Sequence, residues 1–338
     1  MKERIFAAAS VVLVSTAIIG FSTGDTGASF TGTTTNPNQS WNTQNVTPPA
    51  SFTSATSAIA GRIDLVWTAS TSPAGGHTLT YLVYRGPVGG PYATLVGSTA
   101  GLTMSDTPGS DGTYEYVVQT KIAQGAGFFT SGNSATKSNK SDRTAPAMSA
   151  TCNGGSCAGW FNAAVTFVVS GNDGAGVGMG TATTNVDGAG AIASGAPRTV
   201  TVSGENAAHS VVYSGADAVG NASGNTSQTV KIDLTAPTAA TGLGTAKGGS
   251  SGQITVSWTA GTDALSGVAG YTIRYVQLNA CPAPSVAAYP SSVGVGAVTS
   301  TTIGGLVSGS KYCFYLITND NAGNPSANSA AAGPQPAK

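Results

Sequence analysis

Beyond the first fifty residues, apolar side chains recur at every second position in short runs, and no window of about 11 residues or more shows the i, i+3, i+4, i+7 spacing of an amphipathic helix. Ile63, Leu65 and Trp67 share one face of such a run, as do Tyr114, Tyr116 and Val118 in another. The pattern predicts strands at 63–68, 80–85, 93–97 and 114–120, then at 164–170, 198–202, 210–216 and 228–233, and then at 253–259, 270–277, 300–303 and 311–318. Each run is bounded by Gly, Asn, Asp or Pro, the residues that tight turns need. Short strands without helices bury their apolar faces only by packing sheet on sheet, so the expected fold class is all-β, built of sandwiches.

Internal repeats divide the series. Asp142-Arg143-Thr144-Ala145-Pro146 returns as Asp233-Leu234-Thr235-Ala236-Pro237, 91 residues on, the length of one sandwich domain. Ile63-Asp64-Leu65-Val66-Trp67 returns as Ile254-Thr255-Val256-Ser257-Trp258, and Asp217-Ala218-Val219-Gly220-Asn221 returns as Asp320-Asn321-Ala322-Gly323-Asn324. Three tandem antiparallel β-sandwiches over 51–142, 143–235 and 236–334 account for all three repeats. Residues 29–50, ending Thr47-Pro48-Pro49-Ala50, are polar and do not alternate, and read as a linker.

The start of the chain reports a destination. A short charged segment, Met1-Lys2-Glu3-Arg4, precedes a stretch from Ile5 to Gly24 without an ionisable side chain, the order of a secretory signal. Small side chains at Thr26 and Ala28 place the expected cleavage before Ser29, giving a signal peptide over 1–28. The competing reading is an uncleaved membrane anchor, because about 20 uncharged residues can just span a bilayer. A prepilin reading fails, since the apolar stretch precedes Gly20-Phe21 where that class needs it to follow. Residues 28–41, from Ala28-Ser29-Phe30-Thr31 to Trp41, resemble the mature start of the camelysin and biofilm-matrix-fibre group, which implies a bacterial exported protein.

Units one and three each have a strand ending in Trp (Trp67, Trp258), then Tyr81 to Arg85 or Tyr271 to Tyr275, then a Tyr-led strand, and in these residues they resemble fibronectin type III domains. Unit three adds Leu306-Val307-Ser308-Gly309-Ser310-Lys311-Tyr312, similar to the family's L-x-P-x-T-x-Y; the resemblance implies a tyrosine corner, a Tyr hydroxyl bonded back to main chain. Unit two, with Gly159-Trp160-Phe161, Asn172-Asp173-Gly174-Ala175-Gly176, His209 to Tyr213 and Asp217 to Asn221, resembles bacterial Ig-like repeats. These likenesses bear on fold far more than on function.

Charge narrows the functional classes. Fourteen basic and 14 acidic residues give no net charge, and charged residues are 8% of the chain, against about 25% in an ordinary soluble domain. Nucleic acid is therefore not an expected partner, because phosphate binding needs a basic surface. Four cysteines in an exported chain imply two disulfides with three possible pairings. Cys152 and Cys157 share one glycine-rich loop and Cys281 and Cys313 share unit three, which favours those pairs. Zinc is the rival reading, but His77 and His209, the other ligands it would need, lie in different units.

Asp173, Asp217, Asp263 and Asp320 sit in glycine-containing turns. Calcium favours clustered oxygen ligands, yet Asp and Asn in turns also bond to their own backbone, and no D-x-D-x-D-G loop with a following Glu is present. His209 opens a predicted strand, and His77 follows Gly75-Gly76 in a loop. No G-x-S-x-G elbow leading from a strand into a helix and no H-E-x-x-H helix is present, and the three Glu (Glu3, Glu115, Glu205) have no identifiable partner, so no catalytic activity and no cofactor or metal is expected.

The expectation is a non-catalytic extracellular structural or adhesive protein, its sandwiches acting as spacers or interaction modules at the cell surface or matrix. Its expected partner is an extracellular protein or polysaccharide, with a membrane only if the N-terminal segment stays uncleaved. The alternative is a carbohydrate- or protein-binding accessory module, for which Tyr92, Phe128, Phe129 and Tyr289 would have to form an exposed aromatic row. Gly333 to Lys338 carries no L-P-x-T-G sorting motif, so covalent wall attachment is not expected from it.

Overall fold

The computed structural model describes residues 46–57, 59–72, 78–124 and 127–338. Among them are 23 strands and no helix, arranged as three pairs of sheets. The described chain divides into two compact units, one reaching to Pro146 and taking in the loops 173–180 and 216–222, the other holding 147–172, 181–215 and 223–338.

The first sandwich contains β1 (Phe52–Thr56), β2 (Ile63–Trp67), β3 (Leu79–Gly86), β4 (Thr94–Thr99), β5 (Thr103–Asp106), β6 (Gly112–Gln124), β7 (Gly127–Thr130) and β8 (Lys137–Ser141). One sheet runs β1-β2-β5; the other runs β4-β3-β6-β7, with β8 also paired to β6. Inward-facing Phe52, Ile63, Leu65, Trp67, Tyr81, Val83, Tyr116 and Val118 close the core, and the rings of Trp67 and Tyr81 lie 5.7 Å apart. Fully burying one such side chain contributes roughly 1.5 to 3 kcal/mol. The buried Asp106 accepts from Arg85 at 2.7 Å and from the Tyr116 hydroxyl at 2.8 Å, so this buried carboxylate is both paired and hydrogen-bonded. Burial, aided by that carboxylate, holds the Tyr116 phenol far above its ordinary range. The end of the expected linker packs here: Val46 is buried and the Thr47 amide donates to Ser72 Oγ.

The second sandwich contains β9 (Ala147–Cys152), β10 (Trp160–Phe161), β11 (Val165–Asn172), β12 (Met179–Val186), β13 (Ile192–Gly195), β14 (Arg198–Val202), β15 (Asn206–Asp217) and β16 (Thr226–Ile232). Its sheets run β14-β11-β9 and β10-β16-β15-β12-β13 around Val165, Phe167, Val169, Val211, Tyr213, Val230 and Ile232. A disulfide joins Cys152 to Cys157 across a turn in which Asn153 takes a positive φ of 49°.

The third contains β17 (Thr241–Lys247), β18 (Ile254–Thr259), β19 (Val268–Gln277), β20 (Ser291–Gly296), β21 (Ser300–Ile303), β22 (Lys311–Asp320) and β23 (Ala332–Pro336), in sheets β17-β18-β21 and β20-β19-β22-β23. Trp258 and Tyr271 meet edge to face in its core at 5.1 Å. In β22, Tyr312, Phe314 and Leu316 point inward, while Cys313 and Tyr315 point to the other face, where a second small core forms with Tyr289. The Cys281–Cys313 disulfide, spanning 32 residues, ties the 278–290 loop over that face. Closing a loop of that length stabilises by about 3 to 4 kcal/mol in the chain-entropy model. The Tyr312 hydroxyl accepts from the Val307 amide at 3.1 Å, and in the first sandwich the Tyr114 hydroxyl donates to the Ser110 carbonyl at 3.0 Å, so both carry a tyrosine corner.

The strands that the pattern missed are edge or partly exposed ones. β13 is exposed along its whole length and β20 nearly so, and a strand with no buried face has no reason to alternate.

Candidate functional site: two carboxylate clusters

The sites grow from two turns of the same sequence type. At the end of β15, Asp217 Oδ1 accepts the Val219 and Asn221 amides, and its Oδ2 accepts Asn221 Nδ2 at 2.6 Å. At the end of β22, Asp320 Oδ1 accepts the Asn324 amide and its Oδ2 accepts Asn324 Nδ2 at 2.8 Å. Short acidic side chains bond to main chain a few residues on, which is why D-x-x-G-N makes a turn wherever it stands.

Each turn then reaches the D-x-T-A-P segment far away in sequence. Asn221 Nδ2 also donates to the Asp142 carbonyl at 3.1 Å, and Asn324 Nδ2 to the Asp233 carbonyl at 2.9 Å. Asp142 and Asp233, 1% and 0% exposed, bond to the threonine amide two residues on through Oδ1, and through Oδ2 to Val177 and Ser266 respectively. The third carboxylate comes from the loop that supplies those amides: Asp173 Oδ2 accepts from Gly178, and Asp263 Oδ1 accepts from Leu265 and Gly267. The result is two triads, Asp142 with Asp173 and Asp217, and Asp233 with Asp263 and Asp320, in each of which one oxygen per residue lies within 4.8 Å of the others.

Among the described residues, the acid–base contacts are Arg62–Asp64, Arg85–Asp106 and His209–Asp187, so no triad carboxylate is ion-paired. Amides bond most of these oxygens, but amides carry no full charge to offset three carboxylates. Burial pushes Asp173 up; the Gly178 amide opposes this, and the charges of Asp142 and Asp217 add to the upward shift. One Asp173 oxygen is buried without a partner. Gly176 closes the first triad, since a Cβ there would sit 2.3 Å from Asp173 Oδ2 and 2.4 Å from Asp142 Oδ2. Chemically this is an oxygen-only donor set, of the type that hard divalent cations take, with no nucleophile or imidazole in it.

Residues 236–332, the third sandwich, match the family model of the fibronectin type III domain. No curated protein matches the chain. Solved structures that it resembles include the FN1-FN3 domains of chicken CNTN1, at 17% identity and a TM-score of 0.36, covering 84% of this chain and 97% of that one. A run of titin domains resembles it at 11% identity and a TM-score of 0.38, covering 87% of this chain and 98% of that one.

The other predicted candidates do not converge. Tyr289, which the accessory-module alternative needs exposed, is fully buried, its ring edge-on to Tyr315 at 4.9 Å and its hydroxyl donating to the Pro282 carbonyl. The 278–290 loop that β22's outer face holds in place buries it. Tyr92 spends its hydroxyl on Glu115, which also accepts the Gly89 amide, so Glu115 has partners that the sequence did not show. Phe128 and Phe129 are exposed, but as neighbours on β7 they face opposite sides, and the Lys121 ammonium lies over the Phe128 ring at 4.3 Å. With Tyr289 buried and the two Phe side chains diverging, these four residues do not form a row. Glu205 accepts the Thr235 hydroxyl. His77, Glu3 and the signal segment lie outside the described residues. The D-x-T-A-P repeat was legible as a repeat; that its Asp142 and Asp233 complete the triads was not.

Proposed function

We propose that this is a non-catalytic structural or adhesive protein of the cell surface or matrix, exported and built of sandwich domains that space or present interaction surfaces. One observation carries the reading: the described chain is spent on three sandwiches held by turns, tyrosine corners and two disulfides, and its clustered aspartates bond to its own backbone. Fibronectin type III modules serve as structural and interaction units, and disulfides belong to oxidising compartments. An exported protein or a polysaccharide is the partner class that this reading implies.

The test is intact mass of the native protein from culture supernatant and cell envelope, with and without reductant and alkylation. A species that begins near Ser29, lacks free thiols and is found in envelope or matrix supports the proposal. A full-length membrane-bound form with alkylatable cysteines overturns both export with cleavage and the oxidising compartment.

A further inference from the structure

His209 is set between two acceptors. It stands on β15, buried to 6% exposure, opposite Val230 of β16. Its Nδ1 lies 2.7 Å from Asp187 Oδ2 and its Nε2 lies 3.0 Å from the Gly204 carbonyl. A carboxylate and a carbonyl can only accept, and a neutral imidazole has a single N–H. Both contacts are therefore hydrogen bonds only when the ring is an imidazolium. In the neutral ring one of them sets lone pair against lone pair, inside a buried site.

The two partners belong to different turns. Asp187 follows β12 with a positive φ of 51° and leads toward β13; its Oδ1 also accepts the Ser210 amide at 2.8 Å. Gly204 sits in the turn between β14 and β15 with a φ of 95°. Other charged groups on the surrounding elements are engaged elsewhere: Glu205 accepts from Thr235, Arg198 Nε donates to Thr184, and Lys231 lies over the Trp160 ring. Asp187 is thus the charge that the imidazole faces.

We propose that His209, Asp187 and the Gly204 carbonyl form a proton-operated clamp that ties the β12–β13 turn to the β14–β15 turn while the ring is charged and releases one of them when it is not. Burial alone pushes the imidazole down, but the bonds to Asp187 and Gly204 and the Asp187 charge outweigh it and hold it above its ordinary value. The His209 bond and the Ser210 amide in turn hold Asp187 below its own. The sign follows: a group raised in the folded state contributes its full stabilisation below its unfolded value, about 6.5, and loses it as pH rises through the folded value. The clamp is closed below about pH 6.5 and opens as pH rises through the higher folded value.

The experiment is an NMR titration of the intact, oxidised protein from about pH 5.5 to 9, a range bracketing the ordinary imidazole value, following the histidine ring signals and the Asp187 and Gly204 amides. His209→Gln assigns the His209 signal by its loss. The clamp requires a His209 midpoint above about 6.5, with both turn amides shifting at that midpoint. Asp187→Asn keeps an acceptor and removes the charge, and lowers the midpoint by about 1 unit or more. A wild-type midpoint at or below about 6.5, or turn amides that ignore it, overturns the proposal. The wild-type titration decides this even if a variant does not fold.

Discussion

The two carboxylate triads share a plan and differ in how the surrounding residues treat it. Asp142 corresponds to Asp233, Asp217 to Asp320 and Asn221 to Asn324, with the same amide bridging carboxylate and distant carbonyl in both. Even the lysine two residues before the leading Asp recurs, yet Lys140 donates to the Ala175 and Gly176 carbonyls beside its triad, whereas Lys231 stands over an indole. The Asp217 turn also holds one more amide, Val219, than hydrogen bonding gives Asp320. The lesson is that the skeleton of such a site is set by turn chemistry and repeated with it, while its electrostatic surroundings depend on what each neighbouring loop offers.

Removing the shared element should have the largest effect. Asp217→Ala strips the acceptors of two buried amides and an Asn side chain and should cost about 3 kcal/mol or more, with Asp320→Ala somewhat less. Thermal unfolding of the oxidised chain checks this, and an Asp320 effect larger than the Asp217 effect would break the proposed ranking. Asn221→Ala and Asn324→Ala cut only the bridge, and each should cost about 1 to 2 kcal/mol by the same measurement. Asp173→Asn should instead stabilise, by less than about 1 kcal/mol after solvent screening, since it removes one of three repelling carboxylates while keeping an acceptor for Gly178. A loss of stability in metal-free buffer would show that repulsion is not what governs that position. Smallest are the lysines: Lys140→Met should lose up to about 1 kcal/mol and Lys231→Met about 0.5. Equal effects would erase the distinction between them.

Much of this was legible before the fold. Alternation marked the strands with a buried face, so β2, β11, β18 and β22 lie where the pattern put them to within a few residues. It could not mark β13 or β20, whose side chains meet water, nor reveal that the outer face of β22 is a second core, because that depends on a loop folding back over it. The same loop buries Tyr289, which the accessory-module alternative needed exposed.

The site divides along the same line. Sequence alone determined that Asp217 to Asn221 and Asp320 to Asn324 are turns, because a hydrogen bond spanning two to four residues needs only the local chain. It also determined the repeat of about 91 residues that makes the arrangement occur twice. That Asp142 meets Asp217 across 75 positions, and Asp233 meets Asp320 across 87, was decided by the tertiary structure. So was the setting of His209 between two acceptors. Such encounters depend on strand pairing and loop packing, and no periodicity within a strand records which distant loop will close on its end.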